Sequence, residues 1–283
     1  MPPAESANAD QVAYWNETAG ETWASMQDRL DRQLDGLGAR AMAALAPRPG
    51  ERVIDVGCGN GATSLALARA VGPAGAVLGL DISRPMLAVA RDRAAQAGLV
   101  QVEFREADAQ TESLGQGGYD AIFSRFGVMF FADPAAAFTN LRAALKPGGR
   151  LAFVCWRPLM ENPWMTLPLA AAMKHLPAPP EPPDPNAPGP FAFADPARVR
   201  AILAAAGFSA VDIQPHGEGI GGNGLDEAVE LALRVGPLGR ALNDYPHLRP
   251  VVVDDIRAAL APHLTPDGVK LPGAVWIVTA HNV

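Results

Sequence analysis

Between residues 51 and 156, short apolar runs recur at regular intervals, separated by stretches with alanine and leucine at helical spacing. Val53–Val56, Ala76–Leu80, Gln101–Glu106, Tyr119–Arg125 and Arg150–Trp156 are short, apolar-rich and bounded by glycine, aspartate or proline, which predicts strands. Thr63–Val71, Pro85–Ala97 and about Pro134 to Leu145 predict helices, and Lys146-Pro147-Gly148-Gly149 predicts a turn. Strand–helix alternation with short links implies an α/β fold built on a parallel, doubly wound sheet. Such sheets take their ligands beyond the carboxyl ends of the strands, at the switch point. Upstream, Gln11 to Leu45 reads as helix in two pieces, with a break near Asp35-Gly36-Leu37-Gly38 and an end at Pro47 to Gly50. Downstream of Trp156 the alternation lapses. Pro177 to Pro190 is mostly proline with small or acidic residues and predicts an extended, polyproline-like strap. Ala197–Ala206 reads as a helix closed by Gly207 and Ser209–Pro215 as a strand. Leu225–Val235 and Val251–Leu264 read as helices, and Ala274–Ala280 as a last strand. The expected division is an N-terminal helical lid (1–46), a ligand-binding core (47–157), a proline-rich cap insertion (158–196) and C-terminal strands that complete the sheet around inserted cap helices (197–283).

The chemistry concentrates in VIDVGCGNGATS, Val53 to Ser64. A hydrophobic strand ends in Asp55 and runs into Gly57, Gly59 and Gly61, at every second position, before a helix opens. Glycine there lets the backbone adopt positive φ and lets a ligand press against the main chain. The helix start supplies free N–H groups and a positive dipole end. A nucleotide-like ligand follows from this, and Gly57-x-Gly59-x-x-Ala62 also fits a dinucleotide fingerprint. Three carboxylates move the reading elsewhere. Asp55 stands where a carboxylate can accept from a ligand ammonium and would repel a pyrophosphate. Asp81 ends the second strand, where it can take both ribose hydroxyls. Asp108 follows the third strand, placed to meet an adenine amino group. The bland readings are a tight turn for the glycines, helix caps for Asp55 and Asp81, and an ordinary loop acid for Asp108.

The bulk numbers narrow the partners. The chain has 283 residues, 49% hydrophobic and 19% charged, enough apolar material for a full core, and a net charge of −7. That balance argues against a duplex nucleic-acid binder, which needs a basic face. The two cysteines, Cys58 and Cys155, are too few and too far apart for a disulfide framework or zinc cluster, so no metal is expected. The start MPPAESANADQ has no signal-peptide pattern, and no apolar run reaches the ~20 residues of a bilayer span. A reduced, cytoplasmic protein is expected, as monomer or homodimer.

With the glycine loop, Asp81, Asp108 and LKPGGRLAFV before the fifth strand in view, the chain resembles the class I S-adenosylmethionine-dependent methyltransferases. It is most similar to small-molecule enzymes of the ubiquinone/menaquinone-biosynthesis type. The resemblance is strong from Glu51 to Trp156 and looser elsewhere. It implies a Rossmann-like, seven-stranded, mostly parallel sheet whose last strand, Val275–Thr279, is antiparallel and lies between the fifth strand and a sixth at Val211–Gln214. It implies S-adenosylmethionine as cofactor, with S-adenosylhomocysteine as product. The glycine loop maps onto Asp55–Gly61 and the ribose acid onto Asp81, with Ile82 and Met86 packing near the adenine. The adenine-amide position maps onto Asp108 and Ala109. Ser124, Arg125 and Phe126 fall beside the methionine end.

The partner so implied is a small, largely apolar methyl acceptor, methylated at O, N, S or C by in-line displacement. Tyr14, Trp15 and Trp23 on the N-terminal helix either pack on the core or close over the sulfonium by cation–π contact. Phe126 and Met129 are expected to line the acceptor cavity, with Arg125 and Arg157 as polar anchors. No base is named by a motif. Of the five histidines, His216, after the sixth strand, and His175, in the cap, are the weak candidates. A nicotinamide-dependent oxidoreductase and a non-catalytic S-adenosylmethionine-binding protein stand as alternatives. The Tyr-x-x-x-Lys set of the former is missing. So is the Asn/Asp-Pro-Pro-Tyr signature of amino-base methylation, since SRFG follows the fourth strand.

Overall fold

The computed structural model describes residues 8–178 and 184–283. Of the proline-rich strap, Pro179–Pro183 lie outside the described residues, as does most of the start that was scanned for a signal. The core is one sheet: β1 (Arg52–Val56), β2 (Ala76–Asp81), β3 (Val102–Glu106), β4 (Tyr119–Arg125), β5 (Leu145–Trp156), β6 (Ser209–Ile220) and, after the two-residue strands β7 (Leu264–Thr265) and β8 (Gly268–Val269), β9 (Leu271–His281). The sheet order is β3-β2-β1-β4-β5-β9-β6. β1, β2, β3, β4 and β5 pair in parallel, and β9 is antiparallel to both β5 and β6. This is the topology that the resemblance implies. β1 and β2 are buried almost throughout, as near-continuous apolar runs demand when helices cover both faces.

Helices α1 (Ala9–Asn16), α2 (Thr18–Ser25) and α3 (Gln27–Leu45) precede the sheet, and α4 (Ala62–Val71), α5 (Arg84–Gln96) and α6 (Pro134–Ala144) connect its strands. The C-terminal half adds α7 (Pro163–Ala172), α8 (Pro196–Ala205), α9 (Leu225–Arg234), α10 (Gly236–Asp244) and α11 (Arg249–Leu260). Asp133 and Asp195 cap α6 and α8, accepting from the Ala136 and Ala197 amides, each with proline at the next position. Helices α7, α9, α10 and α11 bury a second core of their own, including Ala172, Val229, Leu242 and Ile256. Asn162 ties this cap to the sheet: its Nδ2 donates to the Arg157 and Pro158 carbonyls, and its Oδ1 accepts from the Ala274 amide.

The N-terminal reading needs one correction. The chain turns at Glu17 and Met26, while α3 runs unbroken through Asp35-Gly36-Leu37-Gly38. The glycines there serve close approach. A Cβ on Gly38 would lie 3.0 Å from Arg125 Cδ, and one on Gly36 would lie 2.4 Å from Glu218 Oε1.

Candidate active site

The carboxyl ends of β1, β2 and β4, the N-terminal helices and the cap enclose one cavity of about 1750 Å³. Its floor is the glycine loop. Gly57, Gly59 and Gly61 have φ of 65, 52 and 82°, all left-handed, and each uses this for a different purpose. A Cβ on Gly57 would stand 2.6 Å from Gly127 Cα, so this glycine lets the β1 and β4 turns touch. A Cβ on Gly61 would stand 2.9 Å from Ala90 Cβ and 3.1 Å from Phe104, so it lets α4 start against α5 and β3. A Cβ on Gly59 would meet only Met86 Sδ, at 3.7 Å; Gly57 and Gly59 line the cavity and Gly61 does not.

Asp81 reaches the cavity wall at the end of β2. Its Oδ2 accepts from the Gly59 amide at 2.8 Å and its Oδ1 from the Ser83 amide at 2.8 Å. The two bonds hold the carboxylate flat against the loop and leave a lone pair on each oxygen for two adjacent hydroxyls. Burial pushes its pKa up, against the pull of those amides. Ile82, Met86, Asp108 and Ala109 line the same end. Asp108 accepts from the Gln110 amide at 2.9 Å and from Asn8 Nδ2 at 3.2 Å. The amide of Asn8 thus already donates to Asp108 as an exocyclic amine would.

Asp55 lies beneath the floor rather than on it. It is fully buried, and its Oδ2 accepts from the Thr63 hydroxyl at 2.7 Å and the Ser64 hydroxyl at 2.6 Å. Its Oδ1 has no partner among the described residues. Burial raises its pKa to about 6, with the two hydroxyls pulling the other way. The side chain ties the end of β1 to the first turn of α4. Ser124 is likewise buried, donating to the Val56 carbonyl at 2.7 Å and accepting from the Gly127 amide at 3.2 Å. Neither side chain lines the cavity, because both are spent joining the loops that frame it.

The remaining walls are aromatic. Tyr14, Trp15 and Trp23 all line the cavity. Trp15 meets Tyr14, Trp23 and Phe130 edge to face, at ring-centroid distances of 5.2, 5.8 and 5.3 Å. This lid is hydrogen-bonded to the loop after β2: the Ser83 hydroxyl donates to the Trp15 carbonyl at 2.7 Å, and Asn16 Nδ2 donates to the Ile82 carbonyl at 2.7 Å. Elsewhere on the cavity wall Phe126 stacks on Trp156 at 4.3 Å, with an interplanar angle of 9°. Phe126 holds φ of 62°, a strained left-handed setting for a bulky residue at a binding wall. Met129 and Trp164 extend that face.

Arg125 lines the cavity but is committed, its Nη2 lying 3.1 Å from Asp31 Oδ1, while Arg93 holds the other oxygen at 2.9 Å. Asp31 is therefore a cavity residue that sequence reasoning missed, and so is Gln33, while Asn60 lies in the mapped glycine loop without having been singled out. Gln33 Oε1 and Asn60 Oδ1 are buried without a hydrogen-bond partner among the described residues. Both residues line the cavity, offering acceptors that suit an ammonium group. Nothing in the helical spacing of α3 marks Gln33, since its environment comes from the sheet below.

Three expected site residues lie elsewhere. His175 pairs with Asp255 at 2.6 Å in the cap. His216 sits 3.5 Å from Glu218 on β6. Arg157 pairs with Glu161 and stands over the Trp276 ring at 4.7 Å. None of them lines the cavity, and among the described residues no histidine does. Among those residues, no cluster suits a metal ion and no helix is long and apolar enough to cross a membrane.

A family model described as a methyltransferase domain matches residues 53–149. Aklanonic acid methyltransferase DauC of Streptomyces sp. (strain C5) is 32% identical over 160 residues, 54% of this chain and 73% of that protein. The ubiquinone/menaquinone biosynthesis C-methyltransferase UbiE of Ectopseudomonas mendocina (strain ymp) is 34% identical over 149 residues, 52% of this chain and 58% of that protein. The chain spans between 39% and 58% of the length of three of the curated relatives it matches, UbiE among them. In three dimensions it is similar to phosphoethanolamine N-methyltransferase 2 of Haemonchus contortus, solved with S-adenosylhomocysteine. The TM-score is 0.59 at 16% identity, covering 99% of this chain and 61% of that one. At that identity the likeness is one of fold.

Proposed function

The chain belongs to the class I S-adenosylmethionine-dependent methyltransferases, and on that premise we propose that it transfers a methyl group to a small organic acceptor with a flat, apolar body. The observation that carries the reading is the single cavity in which a nucleoside-binding end and an aromatic end share one floor. Its volume of about 1750 Å³ exceeds the roughly 300–1,000 Å³ usual for one ligand, so cofactor and acceptor fit together.

The residues present fit S-adenosylmethionine. Asp81 offers the paired acceptors a ribose diol needs, and Asp108 and Ala109 an adenine edge. Gly59 leaves open space over the backbone, and Gln33 and Asn60 carry unsatisfied acceptors for an amino group. When bound, the cofactor supplies an already activated methyl on a sulfonium. Trp15, with Tyr14 and Trp23 around it, faces that positive charge and excludes water. The Phe126–Trp156 stack holds the acceptor. Holding the nucleophile in line supplies roughly 7–11 kcal/mol of barrier reduction. Among the described residues no histidine lines the wall, so a proton lost by the acceptor passes to a carboxylate or tyrosine there or leaves before binding. The names of the relatives, which cite aklanonic acid, nocamycin and quinone biosynthesis, support a ring-bearing acceptor.

A thermal-shift comparison tests the cofactor. Saturating S-adenosylhomocysteine at ~100 Kd adds about 2.7 kcal/mol of stability, and NADH adds none. A shift with NADH and none with S-adenosylhomocysteine overturns the proposal. Transfer of labelled methyl across a panel of phenols, quinols and polycyclic acids then finds the acceptor.

A further inference from the structure

The cap wall of the cavity carries three arginines, Arg234 at the end of α9, Arg240 on α10 and Arg249 at the start of α11, in a chain whose net charge is −7. Arg249 is anchored, its Nη1 donating to the Leu233 carbonyl at 2.6 Å and its Nη2 to Asn243 Oδ1 at 2.7 Å. Both partners are neutral. Burial, and then the like charge of Arg234, push its guanidinium below the ordinary range. Arg234 has one carboxylate, Glu230 at 3.5 Å, and Glu230 is also held by Arg29. Arg240 is exposed and forms no hydrogen bond or ion pair among the described residues; its charge lowers the Tyr14 phenol pKa that burial raises. Asp184 and Asp244, the other cap carboxylates lining the cavity, make no ion pair with any of them among the described residues.

Two cations held within each other's field, the more buried one lacking a carboxylate, form an arrangement that an anion would relieve. The guanidinium forks leave most of their N–H donors unspent, and such forks match a carboxylate or phenolate in geometry. The same cavity is lined by the apolar platform of Phe126, Trp156 and Trp164.

We propose that Arg234, Arg240 and Arg249 form an anion subsite, and that the methyl acceptor is an aromatic acid whose charged group docks there while its rings lie against the Phe126–Trp156 stack. The inference rests on the methyltransferase reading and deepens it.

The test uses the full chain saturated with S-adenosylhomocysteine and two fluorescent probes of the same ring system. One is 1-anilinonaphthalene-8-sulfonate; the other is N-phenyl-1-naphthylamine, which lacks the sulfonate. The native chain binds the sulfonate about tenfold or more tightly than the neutral amine, as charge-assisted hydrogen bonds predict. The R234Q/R240Q variant loses most of that preference and keeps its affinity for the neutral amine. R240Q alone, at an exposed position, gives part of the loss without threatening the fold. Added salt weakens the sulfonate only. Equal binding of both probes to the native chain, or an unchanged preference in the double variant, overturns the subsite while leaving methyl transfer standing. Absence of S-adenosylhomocysteine binding overturns the methyltransferase reading itself.

Discussion

Adding one methyl group at Gly57 and at Gly59 separates the two roles of the glycine loop. Both residues hold left-handed φ, 65° and 52°, so alanine at either costs about 1–2 kcal/mol in backbone strain. At Gly57 the new Cβ meets Gly127 Cα at 2.6 Å. Backbone lies against backbone there, and no side chain can swing away. Overpacking of that kind adds roughly 1–3 kcal/mol. The sum, about 2–5 kcal/mol, lowers the melting temperature by roughly 5–15 °C in a domain of this size. At Gly59 the Cβ meets only Met86 Sδ at 3.7 Å, so stability falls by the strain alone, about 2–6 °C. The Gly59 methyl instead stands in the cavity, where the cofactor approaches the main chain, so Gly59→Ala loses S-adenosylhomocysteine affinity out of proportion to its stability. Thermal unfolding without ligand and calorimetric titration with S-adenosylhomocysteine read the two effects independently. Equal loss of stability in both variants would refute the Gly127 contact as the reason for Gly57. Native affinity in Gly59→Ala would refute the placement of the cofactor on this loop.

Asp55 predicts an inverted pH dependence. Its folded pKa is raised from the ordinary 3.8 to about 6, so its contribution to stability is fully present below about 3.8 and is lost as pH rises through about 6. Asp55→Asn therefore flattens the stability profile across that window, by about 3 kcal/mol at most, as urea denaturation at several pH values would show. A profile identical to that of the native chain would mean that the unpartnered Oδ1 is satisfied. Asp81→Asn weakens S-adenosylhomocysteine binding by about 100-fold or more in calorimetry, since two hydroxyl donors lose a charged acceptor; an unchanged Kd removes Asp81 from the ribose site. Trp15→Ala slows methyl transfer to any acceptor found and loosens cofactor binding by roughly 3–30-fold, the worth of a cation–π contact. If only the melting temperature moves, Trp15 is a packing residue of the lid.

The residues we propose for the cofactor were legible in the sequence because their determinants are local. Gly57, Gly59, Asp81 and Asp108 each stand within a few residues of a strand end, and strands in a parallel sheet end on one edge. The same local reading misjudged Gly36 and Gly38 as a break, because the meaning of a helical glycine depends on what presses against it. Here that is Arg125 and Glu218, about 90 and 180 positions further along. It also assigned contacts to Asp55, Ser124 and Gly61, which the structure spends on holding the loops together, and it looked for a base in histidines whose carboxylate neighbours lie outside the cavity.

Periodicity and strand-end chemistry along the chain thus determine the sheet and its ligand edge, and the family resemblance they carry implies the cofactor. Tertiary packing decides which side chains line the cavity: Asp31 and Gln33 from the N-terminal helices, Phe126 stacked on Trp156, and the arginines of the cap. These come from segments more than two hundred residues apart. A backbone-bound cofactor leaves its mark in consecutive residues, whereas a side-chain-lined cavity is specified only by which surfaces the fold brings face to face.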